Sequence, residues 1–414
     1  MMRTQENSTF LNILLIGLAI FIQQSFVIAG INISIADFII LILFIYIVIN
    51  HNKVLEINSL VIFILVLYIY RILMTVILGV FDDLLIINLK EVLATSIKFA
   101  FVVIYLLIGS IIFKLNNSRD IFLKSYVISS VVIGMLCVFT SIFKTPLLTQ
   151  LLFFDELRSK GLMNDPNYFA MTQIISLILV FKFTTRFLYR LALSFMILLA
   201  IFTTGSKTAS IIILLLFFCY CIVKLLNRNI VSIVSVLTVF SVALLCAFYM
   251  INFGNWHMQD LDLGGSFNRM TSIFKEGTAS INESGSDRSL VWLNAISLIK
   301  YTLGFGLGLF DYIHVGTYVN GVSLVAHNTY LQIFAEWGIL FGLVFIFYLI
   351  YLLFNLVKFN KNGRNLVWIV ILLILMVYFM TVSFNNSRYV AFVIGTLIYI
   401  VQSNKTEGRQ THEE

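Results

Sequence analysis

Apolar residues come in long runs of about 17 to 25 positions, the length an α-helix needs to cross the hydrocarbon core of a bilayer. Such runs occupy residues 10–28, 33–50, 58–80, 91–113, 121–143, 167–183, 187–203, 208–226, 230–251, 329–355, 365–383 and 388–402. The pattern predicts an all-α polytopic membrane protein of about 12 transmembrane helices. The first run resembles the core of a signal peptide, but Val27-Ile28-Ala29-Gly30 is a poor cleavage site and further runs follow, so an uncleaved first helix is expected. Two polar stretches are longer than turns, 144–166 and 252–328. The expected layout is therefore helices 1 to 9 over residues 1–251, a large loop with amphipathic helices over 252–328, helices 10 to 12 over 329–404, and a tail over 405–414.

Composition agrees with the pattern. The 414 residues are 60% hydrophobic and 11% charged, with a mean hydropathy of +1.00, more apolar surface than a soluble domain hides from water. Cys137, Cys219, Cys221 and Cys246 all lie inside apolar runs, and Cys219-Tyr220-Cys221 lacks metal-ligand spacing, so neither a disulfide framework nor a metal site is expected.

The net charge of +7 reads as a topology signal and implies no nucleic-acid partner. Lys53, Lys114, Arg119, Lys124, Lys182, Arg186, Arg190, Lys224, Arg228, Lys358, Lys361 and Arg364 fall in alternate connections, and Arg3, Lys405 and Arg409 in the tails. Cytoplasmic loops hold the excess of Lys and Arg, which places both termini in the cytoplasm and both longer loops outside. Asp82-Asp83 makes one outer turn acidic. No stretch between runs is long enough for a nucleotide-binding domain. Gly205-Ser206-Lys207-Thr208 lacks the first glycine of a P-loop and joins two expected membrane helices, so it is not read as one.

The polar chemistry concentrates between Ser284 and Gly342. His327 precedes a long apolar run, with Asn328 placed to cap it. At 100° per residue Leu331, Phe334, Ala335, Gly338 and Gly342 fall on or near the histidine's face, where small residues would admit a neighbouring helix. His327 has two readings, an interfacial capping partner or a group poised for proton transfer near neutral pH. Glu336 is nine positions on, on the opposite face and about 13 Å deeper on a straight helix, which makes it structural glue needing a partner or a proton. Arg288 opens an amphipathic segment with Trp292, Ala295 and Ile299 on one stripe, either a helix lying on the membrane or one that carries an anion contact. Gly304-Phe305-Gly306-Leu307-Gly308 either makes turns or cradles phosphate with backbone N–H groups. Arg158, Lys160 and Lys207 are cations on the outer face, against the prevailing bias, which suits an anionic ligand. Arg71 and Lys98 lie inside spans; they form a structural ion-pair network, with Asp37 as one partner, or line an anionic path.

Together these residues resemble the superfamily of O-antigen polymerases and O-antigen ligases. Arg158-x-x-Gly161 with Asp165-Pro166-Asn167 is similar to its R-x-x-G…P-N element, and Gly205-Ser206-Lys207-Thr208-Ala209 to its S-[RK]-[ST]-A turn. Arg288 with Trp292, followed by Gly304-Phe305-Gly306, resembles its R-x-x-x-W…G-x-G segment, and His327-Asn328-x-Tyr330-Leu331 with Glu336-x-Gly338 its histidine signature. The chain departs from the pattern at Leu303, where a proline is frequent, at Gly342, one residue late, and at Lys207, where arginine is frequent.

The resemblance implies a GT-C-like, inverting membrane glycosyltransferase in the cell's inner membrane that needs no metal and no cofactor and works at the extracytoplasmic face. It implies a polyprenyl (undecaprenyl) diphosphate-linked oligosaccharide as donor, membrane lipids around it and a chain-length regulator among its partners. His327 would then be the base; Arg288, Arg158 and Lys207 would meet the diphosphate; Asn167, Asn328 and Glu336 would support them. A polymerase is the expected activity. A ligase with another acceptor is the near alternative, and a transporter or flippase the distant one, since transporters place polar sites near the midplane.

Overall fold

The computed structural model describes residues 9–28, 31–50, 59–81, 88–115, 118–154, 157–184, 186–226, 288–360 and 363–413. In chain order they form α1 (Thr9–Phe21), β1 (Phe26–Ile28), β2 (Ile31–Ile33), α2 (Ile35–Asn50), α3 (Ser59–Phe81), α4 (Leu89–Ile111), α5 (Ser118–Phe143), α6 (Pro146–Leu152), β3 (Phe153–Phe154), β4 (Arg158–Ser159), α7 (Pro166–Phe183), α8 (Phe187–Thr203) and α9 (Lys207–Leu226). After the gap come α10 (Arg288–Tyr301), α11 (Tyr312–Asn320), α12 (Thr329–Lys358), α13 (Leu366–Phe379) and α14 (Arg388–Glu413).

Among the described residues, five helices are long and apolar enough to cross a membrane: Ile62–Phe81, Leu89–Lys114, Ser118–Phe143, Pro166–Phe183 and Thr329–Lys358. Shorter apolar helices lie at Thr9–Phe21, Ile35–Asn50, Phe187–Thr203, Lys207–Cys219 and Leu366–Phe379. The expected span 230–251, the acidic Asp82-Asp83 turn and residues 252–287 of the expected external loop lie outside the described residues.

Two expectations change. The first apolar run is not helical to residue 28: α1 ends at Phe21, and Phe26–Ile28 pairs antiparallel with Ile31–Ile33. The polar Gln23-Gln24-Ser25 interrupts the run, and the buried Gln23 side chain hydrogen-bonds Ser129 Oγ at 2.9 Å. A second short hairpin, β3 with β4, qualifies the all-α class.

The described chain divides into two compact units. The first holds α1 to α4, the first turns of α5, and α10 to α14. Its closest helix crossing is between α4 and α14: a Cβ at Gly109 would lie 2.2 Å from the Phe392 carbonyl oxygen, and one at Gly395 2.1 Å from that of Leu106. Absent side chains let the two backbones touch, the packing device of apolar helices that gain little from burying one another in lipid. Beside this crossing, Asp37 of α2 accepts from Tyr105 Oη and lies 2.9 Å from Arg388. Asp37 is thus not the partner of Arg71 or Lys98; an arginine far along the chain claims it.

The second unit holds β1 and β2, the rest of α5, α6, β3, β4 and α7 to α9. Gln23, Ser130, Gln173 and Ser176 form a buried polar seam between α5 and α7. Each donor there finds an acceptor on a neighbouring element, which holds helices in register where apolar contact alone does not.

Candidate functional site

In the second unit, two segments separated in sequence come together. The β3–β4 hairpin presents Arg158, whose Nε donates to the Thr204 carbonyl at 3.0 Å, and Ser159 Oγ is 2.7 Å from Thr203 Oγ1. Asp165 caps α7 by accepting from Asn167 N–H, and Pro166 takes the first helical position, where its missing N–H costs nothing. The cap turns the Asn167 side chain to the α8–α9 turn, where its Oδ1 accepts from Ser206 Oγ at 2.9 Å. Lys207 is the first residue of α9. The Arg158 and Asn167 elements and the Gly205–Ala209 turn are therefore one constellation. The turn joins two helices without a strand, so its Gly-Ser-Lys-Thr is no P-loop.

The first unit builds its cluster around a break in α12. Asn328 caps this helix as expected, its Oδ1 accepting from Leu331 N–H at 3.1 Å. His327, half-buried just before the cap, takes a positive φ of 47°. That conformation is uncommon for a residue with a Cβ and persists only where the surroundings dictate it.

Nine helical residues later Gly338 leaves helical geometry at φ 83°, ψ 164°. The backbone groups freed there are taken up by the glycine run. Ile339 N–H donates to the Gly304 carbonyl at 2.8 Å, while the Ala335 and Glu336 carbonyls accept from Leu307 and Gly308 N–H at 2.8 and 3.2 Å. The approach requires glycine on both sides. A Cβ at Gly306 would lie 2.4 Å from Gly338 N, and one at Gly338 2.5 Å from the Phe305 carbonyl oxygen.

This arrangement decides one open reading and corrects two expectations. The glycine run spends its Leu307 and Gly308 N–H groups on α12 carbonyls, so these do not cradle phosphate. Gly338 breaks the helix instead of opening a crossing beside His327, and Gly342 faces the ring of Phe334 on its own helix. On α10 the buried face is Val291, Asn294, Ala295 and Leu298, whereas Trp292 is 37% exposed. Only Ala295 of the expected stripe is core, because the helix is covered by α11 and α12 from the Val291 side.

Glu336 stands just before the break and is buried. Its Oε1 accepts from Gln332 Nε2 at 2.8 Å and from Asn385 Nδ2 at 2.7 Å, and Oε2 lies 3.6 Å from Arg71 Nη2. Arg71 donates from Nε to the Gly308 carbonyl at 2.8 Å. Of its two readings, the ion-pair network is the one its surroundings carry: 1% of it is exposed. Lys98, half-buried on α4, is not part of that cluster. The Tyr312 phenol nearby is buried and has no hydrogen-bond partner among the described residues. Burial, and then the Glu336 carboxylate, raise its pKa above the ordinary phenol value, so it stays a neutral donor.

Arg288 opens α10 half-buried. Gln332, Asn385 and Tyr312 were missed because they lie on three separate segments of the chain, and only their placement around the Glu336 carboxylate marks them.

No curated protein matches the chain. The sequence model of the O-antigen ligase family matches residues 191–347, a stretch that includes Lys207, Arg288, the glycine run, His327 and Glu336. The match spans 157 of the 414 residues, and it supports the resemblance of the chain to the superfamily of O-antigen polymerases and O-antigen ligases.

Proposed function

We propose that the protein is a polysaccharide polymerase, moving a glycan from polyprenyl diphosphate to a sugar hydroxyl of another lipid-linked repeat unit. The observation that carries the reading is His327 held at the top of a rigid, capped half-helix in a backbone conformation of positive φ. In the reaction the acceptor oxygen attacks the anomeric carbon, the bond from that carbon to the diphosphate oxygen breaks with inversion, and His327 takes the hydroxyl proton. The diphosphate leaves with its negative charge, which needs fixed cations and no proton if these are in place beforehand. The resemblance assigns Arg158, Lys207 and Arg288 to that charge. Arg158 is anchored through Nε to the Thr204 carbonyl. Asn167 supports the Ser206 turn from which Lys207 emerges.

The matching family's description favours one second reading, a ligase with the same chemistry and a different acceptor. Purified protein given only polyprenyl diphosphate-linked repeat units separates the two. A ladder of lipid-linked polymer is the expected product. Turnover that appears only when a lipid core or wall acceptor is added would make the protein a ligase, and no transfer in either mixture would remove both readings.

A further inference from the structure

The ion pair between Arg71 of α3 and Glu336 of α12 is poorly suited to holding helices together. Its closest N–O distance is 3.6 Å, the side chains are 1% and 6% exposed, and Arg71 Nη1 is buried with no hydrogen-bond partner among the described residues. Two charges removed from water at that separation recover little of their desolvation, and an apolar pair of similar volume would hold the helices at least as well.

An apolar pair would not fix direction. Arg71 Nε binds the Gly308 carbonyl, Gly308 N–H binds the Glu336 carbonyl, and the Glu336 carboxylate faces the Arg71 fork. This closed circuit joins α3, the glycine run and the lower end of the half-helix Thr329–Trp337. Neighbours on α3 reinforce it: Tyr70 Oη donates to the Phe305 carbonyl at 2.7 Å, and Thr75 Oγ1 accepts from Leu309 N–H at 2.7 Å.

The same half-helix carries Asn328 and His327 at its other end. Nine residues span about 13 Å, so a tilt of about 5° at the base moves the top by about 1 Å. A misplacement of that size at a reacting group costs about 10²-fold in rate.

We propose that Arg71 is a positioning residue for His327, acting through Glu336 and the glycine run to set the tilt of the half-helix beneath the imidazole. The proposal rests on the reading of His327 as the base.

The test replaces the pair by apolar residues, Arg71→Met with Glu336→Leu, and measures thermal midpoint, kcat and donor KM on purified protein. The expected result is an unchanged or higher midpoint, kcat lowered by about 10²-fold and KM within about 2-fold. In a His327→Ala background the same pair of changes should lower kcat no further, since a misplaced base that is already absent cannot be misplaced again. Wild-type kcat in the apolar pair overturns the proposal. So does a loss that multiplies that of His327→Ala, because Arg71 would then act elsewhere. Near wild-type activity of His327→Ala alone would instead sink the reading of His327, and the proposal with it. Should the apolar pair not fold, Tyr70→Phe and Thr75→Val each delete one bond to the glycine run. These should lower kcat about 3- to 10-fold with KM unchanged and no effect in the His327→Ala background; an unchanged kcat overturns the proposal equally.

Discussion

His327 and Asn328 are neighbours with separable jobs, and substitution tells them apart. Asn328 supplies the cap, so Asn328→Ala should destabilise by about 1 kcal/mol, readable as a lower thermal midpoint. His327 does not cap the helix. As the base, its change to Ala or Gln should lower turnover per folded molecule by roughly 10² to 10⁴-fold with donor affinity nearly intact. Activity within a few-fold of wild type would move the deprotonation to the substrate itself. Arg288 would bring both a charge and a planar fork to a diphosphate, and lysine keeps only the charge, so Arg288→Ala should lower turnover far more than Arg288→Lys at equal protein level. Wild-type turnover in Arg288→Ala would show that neither fork nor charge at this position meets the leaving group. His327, Arg288 and Glu336 were all singled out from type and place. The partner of Glu336 was not, because that carboxylate finds its arginine on α3, at a separation in sequence that no local spacing encodes.

The broken helix α12 shows where counting along a sequence stops working. Positions from Thr329 to Trp337 obey 100° per residue and the Asn328 cap follows from spacing, but His327 precedes the cap at a φ of 47°, where the count does not reach it. Beyond Gly338 the count fails, since a residue at φ 83° resets the helix direction. The glycine run was ambiguous for a related reason. Glycine permits many conformations, and only the partner backbone shows which one is used. The interlock carries its own prediction. Gly338→Ala and Gly306→Ala each place a Cβ about 2.5 Å or less from a backbone atom that cannot yield. They should destabilise by more than the roughly 1–3 kcal/mol of the strained φ alone. Gly321→Ala provides the control, because its φ is 70° but nothing lies within 4 Å. It should cost only the conformational part and leave turnover intact. Similar melting curves for all three variants would mean that the half-helix does not depend on its contact with the glycine run.

At the scale of the whole chain, orientation depends on the number of crossings. The helices reproduce the apolar runs closely because a bilayer fixes helix length and keeps the lipid-facing positions apolar. Eleven expected runs fall on helices α1 to α5, α7 to α9 and α12 to α14. With a cytoplasmic N-terminus, α9 returns the chain to the cytoplasm, where Lys224 and Arg228 add to the basic charge. The segment α10–α11 lies outside only if residues 230–251 cross once more. Lys358, Lys361 and Arg364 fit that count, since the positive-inside bias expects the far end of α12 on the cytoplasmic side. In a variant without its four native cysteines, Tyr318→Cys on the exposed face of α11 should react fully with a membrane-impermeant thiol reagent in intact spheroplasts. Asn227→Cys should react only after lysis. Labelling of both positions before lysis would remove the ninth crossing. Protection of Tyr318→Cys would put His327 and Arg288 on the cytoplasmic side, and the proposed reaction at the outer face would fall with that result.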